Sequence, residues 1–191
     1  MCDIEIRTAV LDDTEKILDI YRYYVLNTAI TFEYTVPTVE EFKERIAKTL
    51  TKYPYLVAVQ DDTILGYAYA GEFVGRAAYG WSAELTIYLA QNARKCGLGR
   101  RLYEKLEQIL KEMGVLNLYT CIGYPERDDE YLTKNSAEFH KHMGFEKVGE
   151  FHKCGYKFNH WYNMIWMEKI IGTHEKEQRQ IKYQKQRKDL A

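Results

Sequence analysis

The chain has little that would tie it to a membrane, to nucleic acid or to an oxidising compartment. Its 191 residues carry a formal net charge of −1. No apolar run approaches the length of about 18 residues that a bilayer span requires. The four cysteines form no CxxC pair, which favours reduced thiols and a cytoplasmic location over a disulfide framework. The N-terminal MCDIEIRTAVLDD lacks the apolar core of a signal peptide. These absences predict a cytoplasmic globular domain in which any basic site is local.

What the chain does have is a clear pattern of helices and strands from residue 4 to residue 169. Runs rich in apolar residues predict strands over 4–10, 55–60, 64–70, 83–89, 116–122, 145–151 and 162–169, the last two joined by a connection over 154–160. Four helices begin after Asp12-Asp13-Thr14, at the Thr38–Glu41 capping box, after the Gly97–Gly99 turn and at Asn135-Ser136. The order β-α-α-β-β-β-α-β-α-β-β indicates an α/β (α+β) fold. Its mixed seven-stranded sheet would carry helices on both faces and would not be doubly wound.

The composition changes at Thr173. Residues 173–191 contain six Lys or Arg against three Asp or Glu, and almost no apolar side chains. Such a segment has too little apolar surface to order itself. We therefore predict a domain over 1–172 and a basic, solvated tail over 173–191, at most a marginal helix. Contact of this tail with nucleic acid is the alternative, and a solubilising role is the simpler interpretation.

The strand over 83–89 leads into the basic turn Arg94-Lys95-Cys96-Gly97-Leu98-Gly99, and an amphipathic helix follows at once. Glycines let the backbone approach a ligand closely, and the first N–H groups of a helix are free to bind an anion. Arg100 and Arg101 add positive charge. The pattern indicates a pyrophosphate site, although a solvated basic turn has the same composition. Neither a dinucleotide-binding GxGxxG unit nor the Gly-Lys-Ser/Thr of a Walker A loop is present.

These features together resemble the GNAT superfamily of N-acetyltransferases, whose phosphate-binding motif is commonly written Q/R-x-x-G-x-G/A. Further segments are similar to the phosphinothricin N-acetyltransferase family, including its amino-acid and methionine-sulfone acetylating relatives. In chain order they are Thr31-Phe32-Glu33, Tyr55–Val59, Gly71–Phe73 with Arg76 and Ala78-Tyr79, Ala83–Leu89, Phe139-His140 before Gly144-Phe145, and Gly155–Phe158 with Trp161. The resemblance spans roughly residues 4–169. It implies the GNAT acyl-CoA N-acyltransferase fold, acetyl-CoA as co-substrate, and a homodimer.

The resemblance also assigns the acetyl-CoA site. The backbone of Ile87, Tyr88 and Leu89 would pair with the pantetheine arm like an added strand, and one of these amides would polarise the thioester carbonyl. The family often has an asparagine facing coenzyme A where this chain has Thr133, and Asn135 lies two positions on, so both are candidates. The pyrophosphate would be bound by Arg94, Lys95, Cys96, Gly97, Leu98, Gly99 and Arg100.

Acetyl transfer to an amine needs a base, because an α-amine with a pKa of about 8 or higher is mostly protonated at neutral pH. Glu84 lies on an otherwise apolar strand, where burial would raise its pKa, and the resemblance places the catalytic carboxylate there. An outward-facing carboxylate is the alternative. His140 stands where many GNAT enzymes have a general-acid tyrosine, and it either protonates the departing thiolate or packs as a structural histidine. Cys96 lies in the phosphate turn, so we expect direct attack by the amine.

The acceptor site is the part that the sequence defines least. Arg76 is a candidate for clamping a substrate carboxylate. Four further residues are candidates for walling or closing the site: Phe32, Phe73, Tyr79 and Lys157. We predict acetylation of the free amine of a small amino-acid-like molecule such as phosphinothricin or methionine sulfone. The alternatives are a peptide or protein N-terminus, a polyamine, or a non-catalytic acyl-CoA sensor.

No metal site is expected from the histidines and cysteines. His140 and His142 lie two residues apart on a helix, about 200° round its axis, and cannot face one ion together. His152, Cys154 and His160 match no zinc-ligand spacing. Metal-assisted chemistry is therefore not part of the prediction.

Overall fold

The structure is a computed structural model, and it describes residues 4–93 and 97–183. The elements of these ranges follow the predicted order. The strands are β1 (Glu5–Thr8), β2 (Tyr55–Gln60), β3 (Thr63–Glu72), β4 (Ser82–Leu89), β5 (Asn117–Tyr124), β6 (Glu146–Lys157) and β7 (His160–Ile170). The α-helices are α1 (Thr14–Asn27), α2 (Val39–Leu50), α3 (Leu98–Met113) and α4 (Asn135–His142). Among the residues described, no helix has the length and apolar character needed to cross a membrane.

The strands form one mixed sheet in the order β1-β2-β3-β4-β5-β7-β6. Neighbouring strands pair antiparallel except β4 and β5, which run parallel. The connection between these two central strands is α3, as expected because parallel neighbours need a long crossover. The prediction of a mixed seven-stranded sheet is confirmed.

Side chains alternate between the two faces of the sheet, and this divides the apolar residues into two cores. In β2, Leu56 and Ala58 belong to the core under α3 and α4, whereas Tyr55 and Val57 belong to the core under α1 and α2. We call these sides the α3 face and the α1 face. The apolar stripe of α3 is almost fully buried in the first core and consists of Leu98, Leu102, Leu106, Leu110 and Met113. Helices therefore cover both faces, as the sequence predicted.

β4 and β5 pair over three positions and then separate. Their last paired residues are Glu84 and Tyr119. Beyond this point β4 continues beside β3 to Leu89, and β5 continues beside β7 to Tyr124. A gap therefore opens between the two central strands, and the backbone edges on its two sides have no neighbouring strand across it.

The predicted helix ends are confirmed at α2 and α3. The Glu41 N–H donates to Thr38 Oγ1 at 3.2 Å, and the Thr38 N–H donates to Glu41 Oε2 at 2.8 Å, which is a complete capping box. Gly114 follows α3 with a left-handed φ of 93°, a conformation that favours glycine.

The predicted connection over 154–160 is wrong. β6 runs to Lys157 and β7 begins at His160, so the strands are joined by a two-residue turn at Phe158 and Asn159, whose φ angles are 50° and 62°. Positive φ at both positions is the geometry of a type I′ hairpin turn. The β6–β7 register shifts twice along the hairpin, between Lys147 and Gly149 and again further on. These bulges interrupt the alternation of apolar and polar residues from which a strand is predicted.

The segment after Thr173 is not a free tail as far as Tyr183. The Trp81 Nε1–H donates to the Arg179 carbonyl at 2.7 Å, and the Lys182 N–H donates to the Met113 carbonyl at 3.0 Å. Ile181 and Tyr183 pack against the α3 core. The sequence interpretation failed here because a few apolar side chains and backbone hydrogen bonds hold a segment of largely polar composition. Residues 184–191 lie outside the described part of the chain.

Candidate active site

The gap between β4 and β5 opens into a cavity of about 240 Å³ that reaches both faces of the sheet. From the α1 face it is lined by Thr31, Phe32, Tyr69, Glu84, Thr86, Tyr88, Cys121 and Met164. From the α3 face it is lined by Leu85, Ile87, Tyr103, Thr120, Ile122, Ser136 and His140. The structure therefore brings both predicted catalytic residues, Glu84 and His140, to one cavity.

Glu84 lies where β4 and β5 separate, with its side chain on the α1 face. Ala83 and Leu85 are buried in the α3 core, so alternation along the strand turns Glu84 the other way. Its side chain is half-buried in the cavity wall. Burial raises the pKa of the Glu84 carboxyl above its ordinary value, in the direction that makes the carboxylate a stronger base.

His140 is buried, and hydrogen bonds engage both of its ring nitrogens. Nδ1 lies 2.7 Å from the Ser136 carbonyl oxygen, which only accepts, so Nδ1 carries the proton. Nε2 lies 2.9 Å from the Tyr103 hydroxyl. Burial lowers the pKa of His140 to about 4, so the ring is neutral at pH 7 and Nε2 accepts the hydrogen bond from Tyr103. Toward the cavity this pair therefore presents no imidazole N–H, and the proton of the Tyr103 hydroxyl is directed at Nε2.

Alternate residues of β4 turn their backbone N–H and C=O groups toward the gap. The Ala90 N–H donates to a β3 carbonyl at 2.9 Å, so alternation turns the backbone of Tyr88 toward β3 and the backbones of Ile87 and Leu89 toward the gap. The Tyr24 hydroxyl donates to the Leu89 carbonyl at 2.6 Å and accepts the Leu89 N–H at 3.2 Å. Three residues were predicted to pair with a pantetheine arm. The backbone of Tyr88 turns toward β3, and the backbone of Leu89 is bound to the Tyr24 hydroxyl. The backbone of Ile87 faces the gap.

The start of α3 has the geometry of an anion site. Gly97 precedes the helix with a left-handed φ of 77°, and a Cβ added there would meet no atom of the described residues within 4 Å. The described residues therefore leave space for a ligand beside Gly97, at the positive end of the helix. Arg100 is exposed and lies 3.9 Å from Glu104, so its charge is available at this end. The Arg101 guanidinium instead donates to the Ile4 carbonyl at 2.8 Å and ties the helix to the start of β1.

The second glycine of the turn has a packing role. A Cβ on Gly99 would lie 3.2 Å from the Phe139 ring, so the glycine lets α4 pack closely on α3. Leu98 is buried in the core beneath the turn. The three remaining residues predicted to bind phosphate, Arg94, Lys95 and Cys96, lie outside the described residues.

Thr133 and Asn135, the alternative candidates for a coenzyme A contact, stand side by side at the start of α4. Both are exposed, and the Asn135 N–H lies 3.4 Å from Thr133 Oγ1. Neither lines the cavity in the gap. A contact from either residue would therefore be with a part of the ligand that lies outside the cavity.

Phe32 lines the cavity, whereas Lys157 lies behind it. Lys157 is 2% exposed, and its Nζ donates to the carbonyl oxygens of Thr28 and Thr31, each at 2.8 Å. Burial lowers the pKa of the Lys157 ammonium to about 8. Lys157 therefore holds in place the loop that carries Thr31 and Phe32, and it does not form part of the cavity wall.

The other predicted acceptor residues, Phe73, Arg76 and Tyr79, line a second cavity of about 290 Å³. A stacked pair of rings connects the loop that lines this cavity to the strand beside Glu84. Phe73 stacks on Tyr119 with a centroid separation of 4.1 Å, and Tyr119 is the β5 residue paired with Glu84. The structure thus places the loop over 71–80 beside the Glu84 cavity and not within it.

The described cysteines provide no nucleophile and no metal cluster. Cys121 and Cys154 are free. Cys121 lines the cavity, and desolvation raises the pKa of its thiol to about 12, so it is protonated at neutral pH. Within the ranges that the structure describes, no group of three His, Cys, Asp or Glu side chains is placed to hold a metal ion.

Sequence reasoning missed Tyr103 and Thr120, two buried hydroxyl residues of the cavity wall. Each does break a local pattern. Tyr103 adjoins Leu102 on the buried side of α3, and Thr120 occupies a core position between Leu118 and Ile122 on β5. A polar residue at a core position is the signal that could have found both.

Residues 6–166 match the family model described as an acetyltransferase (GNAT) domain. A phosphinothricin N-acetyltransferase of Alcaligenes faecalis is 31% identical over 178 residues, which cover 90% of this chain and 85% of the relative. The range matched by the family model contains every residue that lines the cavity and the start of α3.

Two solved structures share the fold and about a third of the residues. One is the crystal structure of a GNAT superfamily phosphinothricin acetyltransferase from Sinorhizobium meliloti in complex with AcCoA. It has a TM-score of 0.81 and 32% identity, and the match covers 88% of this chain and 89% of that chain. The other is a ribosomal-protein-alanine N-acetyltransferase from Brucella melitensis, with a TM-score of 0.79, 30% identity, and coverage of 87% and 99%.

Proposed function

Since the chain belongs to the GNAT family of acetyltransferases, and within it to the phosphinothricin N-acetyltransferase-like family, we propose that it acetylates the free amine of a small amino-acid-like substrate. Phosphinothricin and methionine sulfone represent the substrate class. The observation that carries this proposal is Glu84, a carboxylate of raised pKa in the wall of a cavity formed where two central strands separate.

The residues on the donor side fit acetyl-CoA. Gly97 leaves the N-terminus of α3 open to a pyrophosphate, and the exposed Arg100 adds positive charge. The backbone of Ile87 faces the gap, where an extended pantetheine arm would pair with it like a strand. We extend the phosphate site to Arg94, Lys95 and Cys96, whose sequence completes the turn. Bound acetyl-CoA supplies the acetyl group as a thioester.

Glu84 acts on the acceptor as a general base. A substrate ammonium must lose a proton before its nitrogen can attack a carbonyl carbon, and a carboxylate of raised pKa takes that proton directly or through water. The attack is direct, because the cavity's cysteine is a protonated thiol and no other nucleophile is assigned. The amine, the acyl donor and Glu84 must therefore be present together in a ternary complex.

The Tyr103–His140 pair provides the proton donor for the leaving group. One of the two interpretations of His140 from the sequence was this role, but a neutral ring whose Nδ1–H is bound to Ser136 has no proton to present to the cavity. In our proposal the Tyr103 hydroxyl, held at rest by Nε2, turns toward the sulfur and gives it its single proton as the C–S bond breaks, and solvent returns a proton to the phenolate. His140 then acts as a positioning residue.

The acceptor side combines two loops. Phe32 offers an apolar wall inside the cavity, and Lys157 fixes its loop from behind. Arg76 remains the proposed clamp for a substrate carboxylate, with Phe73 and Tyr79 beside it in the neighbouring cavity. A substrate that carries both an amine and a carboxylate would extend from Glu84 toward this loop.

We further propose that the enzyme is a cytoplasmic homodimer. The β6–β7 hairpin lies at the edge of the sheet and exposes large apolar side chains at Val148, Phe151, Tyr156 and Trp161. An exposed apolar patch beside an edge strand is suited to covering by another chain. Light scattering of the purified protein would give a mass of about twice the 22.6 kDa chain if the proposal holds.

The central experiment is a screen for acetyl-CoA consumption with purified protein. The acceptors are the common amino acids, phosphinothricin, methionine sulfone, a polyamine, and a peptide with a free N-terminal alanine. We expect turnover with the amino-acid analogues. Consumption without any acceptor preference would overturn the proposed substrate class. No consumption beside intact acetyl-CoA binding would overturn the proposed activity and favour a non-catalytic acyl-CoA sensor.

A protein N-terminus is the second candidate acceptor. The similarity to the ribosomal-protein-alanine N-acetyltransferase of Brucella melitensis favours it specifically. The two candidates differ in what Arg76 would meet, because an N-terminal residue of a peptide has no free α-carboxylate. A higher kcat/KM for the alanine peptide than for free amino acids would establish the second candidate.

A further inference from the structure

Thr120 carries a buried hydroxyl group that the fold itself does not satisfy. It is 1% exposed, and its Oγ1 has no hydrogen-bond partner among the residues that the structure describes. It lies on β5, one residue beyond the last β4–β5 pair at Tyr119, and it lines the cavity. The orphaned oxygen therefore stands at the point where the gap opens.

Two polar neighbours in the same wall, Tyr103 and His140, are already engaged. The Tyr103 hydroxyl and the His140 imidazole are 2.9 Å apart, and His140 is bound to the Ser136 carbonyl at 2.7 Å. Burying a hydroxyl without a partner destabilises the folded chain, and valine, of nearly the same shape, would avoid this cost. Because the unpaired hydroxyl lies inside the proposed active site, its expected partner is a group of the bound ligand.

The side of the sheet indicates which ligand this is. Leu118 and Ile122 belong to the α3 core, so alternation along β5 places Thr120 on the α3 face, where the open N-terminus of α3 also lies. Glu84, the proposed base for the acceptor amine, is on the opposite face. Thr120 therefore belongs with the acyl donor and not with the amine.

We propose that the Thr120 hydroxyl donates a hydrogen bond to the carbonyl oxygen of the bound acetyl thioester. This inference rests on the proposed function, because it takes the cavity between β4 and β5 to be the acyl-CoA site. A thioester offers a carbonyl oxygen as its strong acceptor, and its sulfur is a weak one. The hydroxyl would thus hold the acyl group at the mouth of the gap and recognise acetyl-CoA in preference to free coenzyme A.

The test compares Thr120→Val, which removes the hydroxyl at nearly constant volume, with Thr120→Ser, which keeps it. Dissociation constants for acetyl-CoA and for coenzyme A are measured by calorimetry without an acceptor, and the Tm of each free protein is recorded. We expect T120V to bind acetyl-CoA about tenfold more weakly than wild type and coenzyme A equally well. T120S should stay within about twofold for both. The free T120V protein should melt at a higher temperature, because it lacks the unpaired hydroxyl.

Two results would overturn the inference: unchanged acetyl-CoA affinity in T120V, or an equal loss for acetyl-CoA and coenzyme A. If T120V does not fold, Thr120→Cys replaces the hydroxyl with a much weaker donor, and the same pair of affinities decides. Wild-type protein that binds no acetyl-CoA would refute the proposed function itself, which distinguishes that failure from failure of the Thr120 assignment.

Discussion

The donor and acceptor sides of the proposed active site are built in different ways. The donor side is largely one continuous stretch, in which β4 leads through the glycine turn into α3, and α4 closes against Gly99. The acceptor side brings together Glu84, the loop that carries Phe32, and the loop over 71–80, which meet only in the folded chain. A ligand common to a family suits the first arrangement, because a continuous segment retains its geometry. A variable acceptor suits the second, because separate loops change independently.

The two sides also differ in how their polar groups are held. On the donor side Tyr103, His140 and Ser136 form a connected set of hydrogen bonds. On the acceptor side hydrogen bonds join two distant segments of the chain, because Lys157 of the β6–β7 hairpin donates to the carbonyl oxygens of Thr28 and Thr31. Substitutions on the two sides should therefore have separable effects, on acetyl-CoA in one case and on the amine in the other.

The largest expected effect is that of Glu84→Gln, which removes the base and leaves the donor side intact. We expect kcat to fall about 10²- to 10⁴-fold, with little change in coenzyme A affinity. Because burial raises the pKa of Glu84, the stability that this group contributes is present at low pH and is lost as pH rises through its folded pKa. The variant should therefore have a higher Tm than wild type at pH 8, and wild-type kcat/KM should rise with pH through the same pKa.

Glu138→Gln is the matched control for this variant, because Glu138 is exposed on α4. It should leave both kcat and Tm unchanged. Acetylation by E84Q at the wild-type rate would refute the assignment of the base, whatever its Tm.

A smaller effect, confined to the acceptor, is expected for Arg76→Ala. If Arg76 clamps the substrate carboxylate, kcat/KM for an amino-acid acceptor should fall about 10- to 100-fold, the range of a lost charge-assisted hydrogen bond. The corresponding amine without a carboxylate should react equally well with both proteins. Arg22→Ala, at an exposed position of α1, is the control. Equal losses for both acceptors would exclude the clamp.

Lys157→Met tests whether the loop behind the cavity is held from the hairpin. The change leaves the carbonyls of Thr28 and Thr31 without their ammonium donor, so we expect a loss of stability of about 2 kcal/mol. The KM for the amine should rise about tenfold, because Phe32 loses its support, while the KM for acetyl-CoA stays the same.

Lys43→Met, on the exposed side of α2, controls for the loss of a lysine charge. Thermal melting and initial rates at varied amine and varied acetyl-CoA measure the two effects. A rise in KM for acetyl-CoA in K157M would show that the two sides are not separable in this way.

The same contrast explains what the sequence could reveal. The places of Glu84 and Gly97 in the fold were predictable, because each lies in a segment whose strand or helix pattern is read from neighbouring residues. The contacts of Lys157 were not, since its partners at Thr28 and Thr31 are brought to it only when the β6–β7 hairpin folds beside the loop that follows α1. Tyr103 was overlooked for a related reason: a tyrosine in an apolar stripe is usually core, and its link to His140 depends on how α3 packs on α4. Long-range packing, and not local propensity, is the information that a single sequence lacks.

The smallest expected effect is on the donor side, from Gly97→Ala. Gly97 has a left-handed φ of 77°, in which a Cβ costs about 1–2 kcal/mol, although the space beside it is open. The turn should therefore relax away from the geometry that presents the α3 N-terminus. We expect the KM for acetyl-CoA to rise about fivefold and the KM for the amine to stay unchanged, as measured by initial rates.

Gly149→Ala is the matched control, because an added Cβ there also meets nothing within 4 Å and its φ is not left-handed. It should leave both KM values at the wild-type level, so a change shared by the two variants would be a general effect of adding a methyl group. If G97A instead raises the KM for the amine and spares that for acetyl-CoA, the glycine turn serves the acceptor. The glycine turn would then not belong to the donor side, and the assignment of the two sides to different segments of the chain would be wrong.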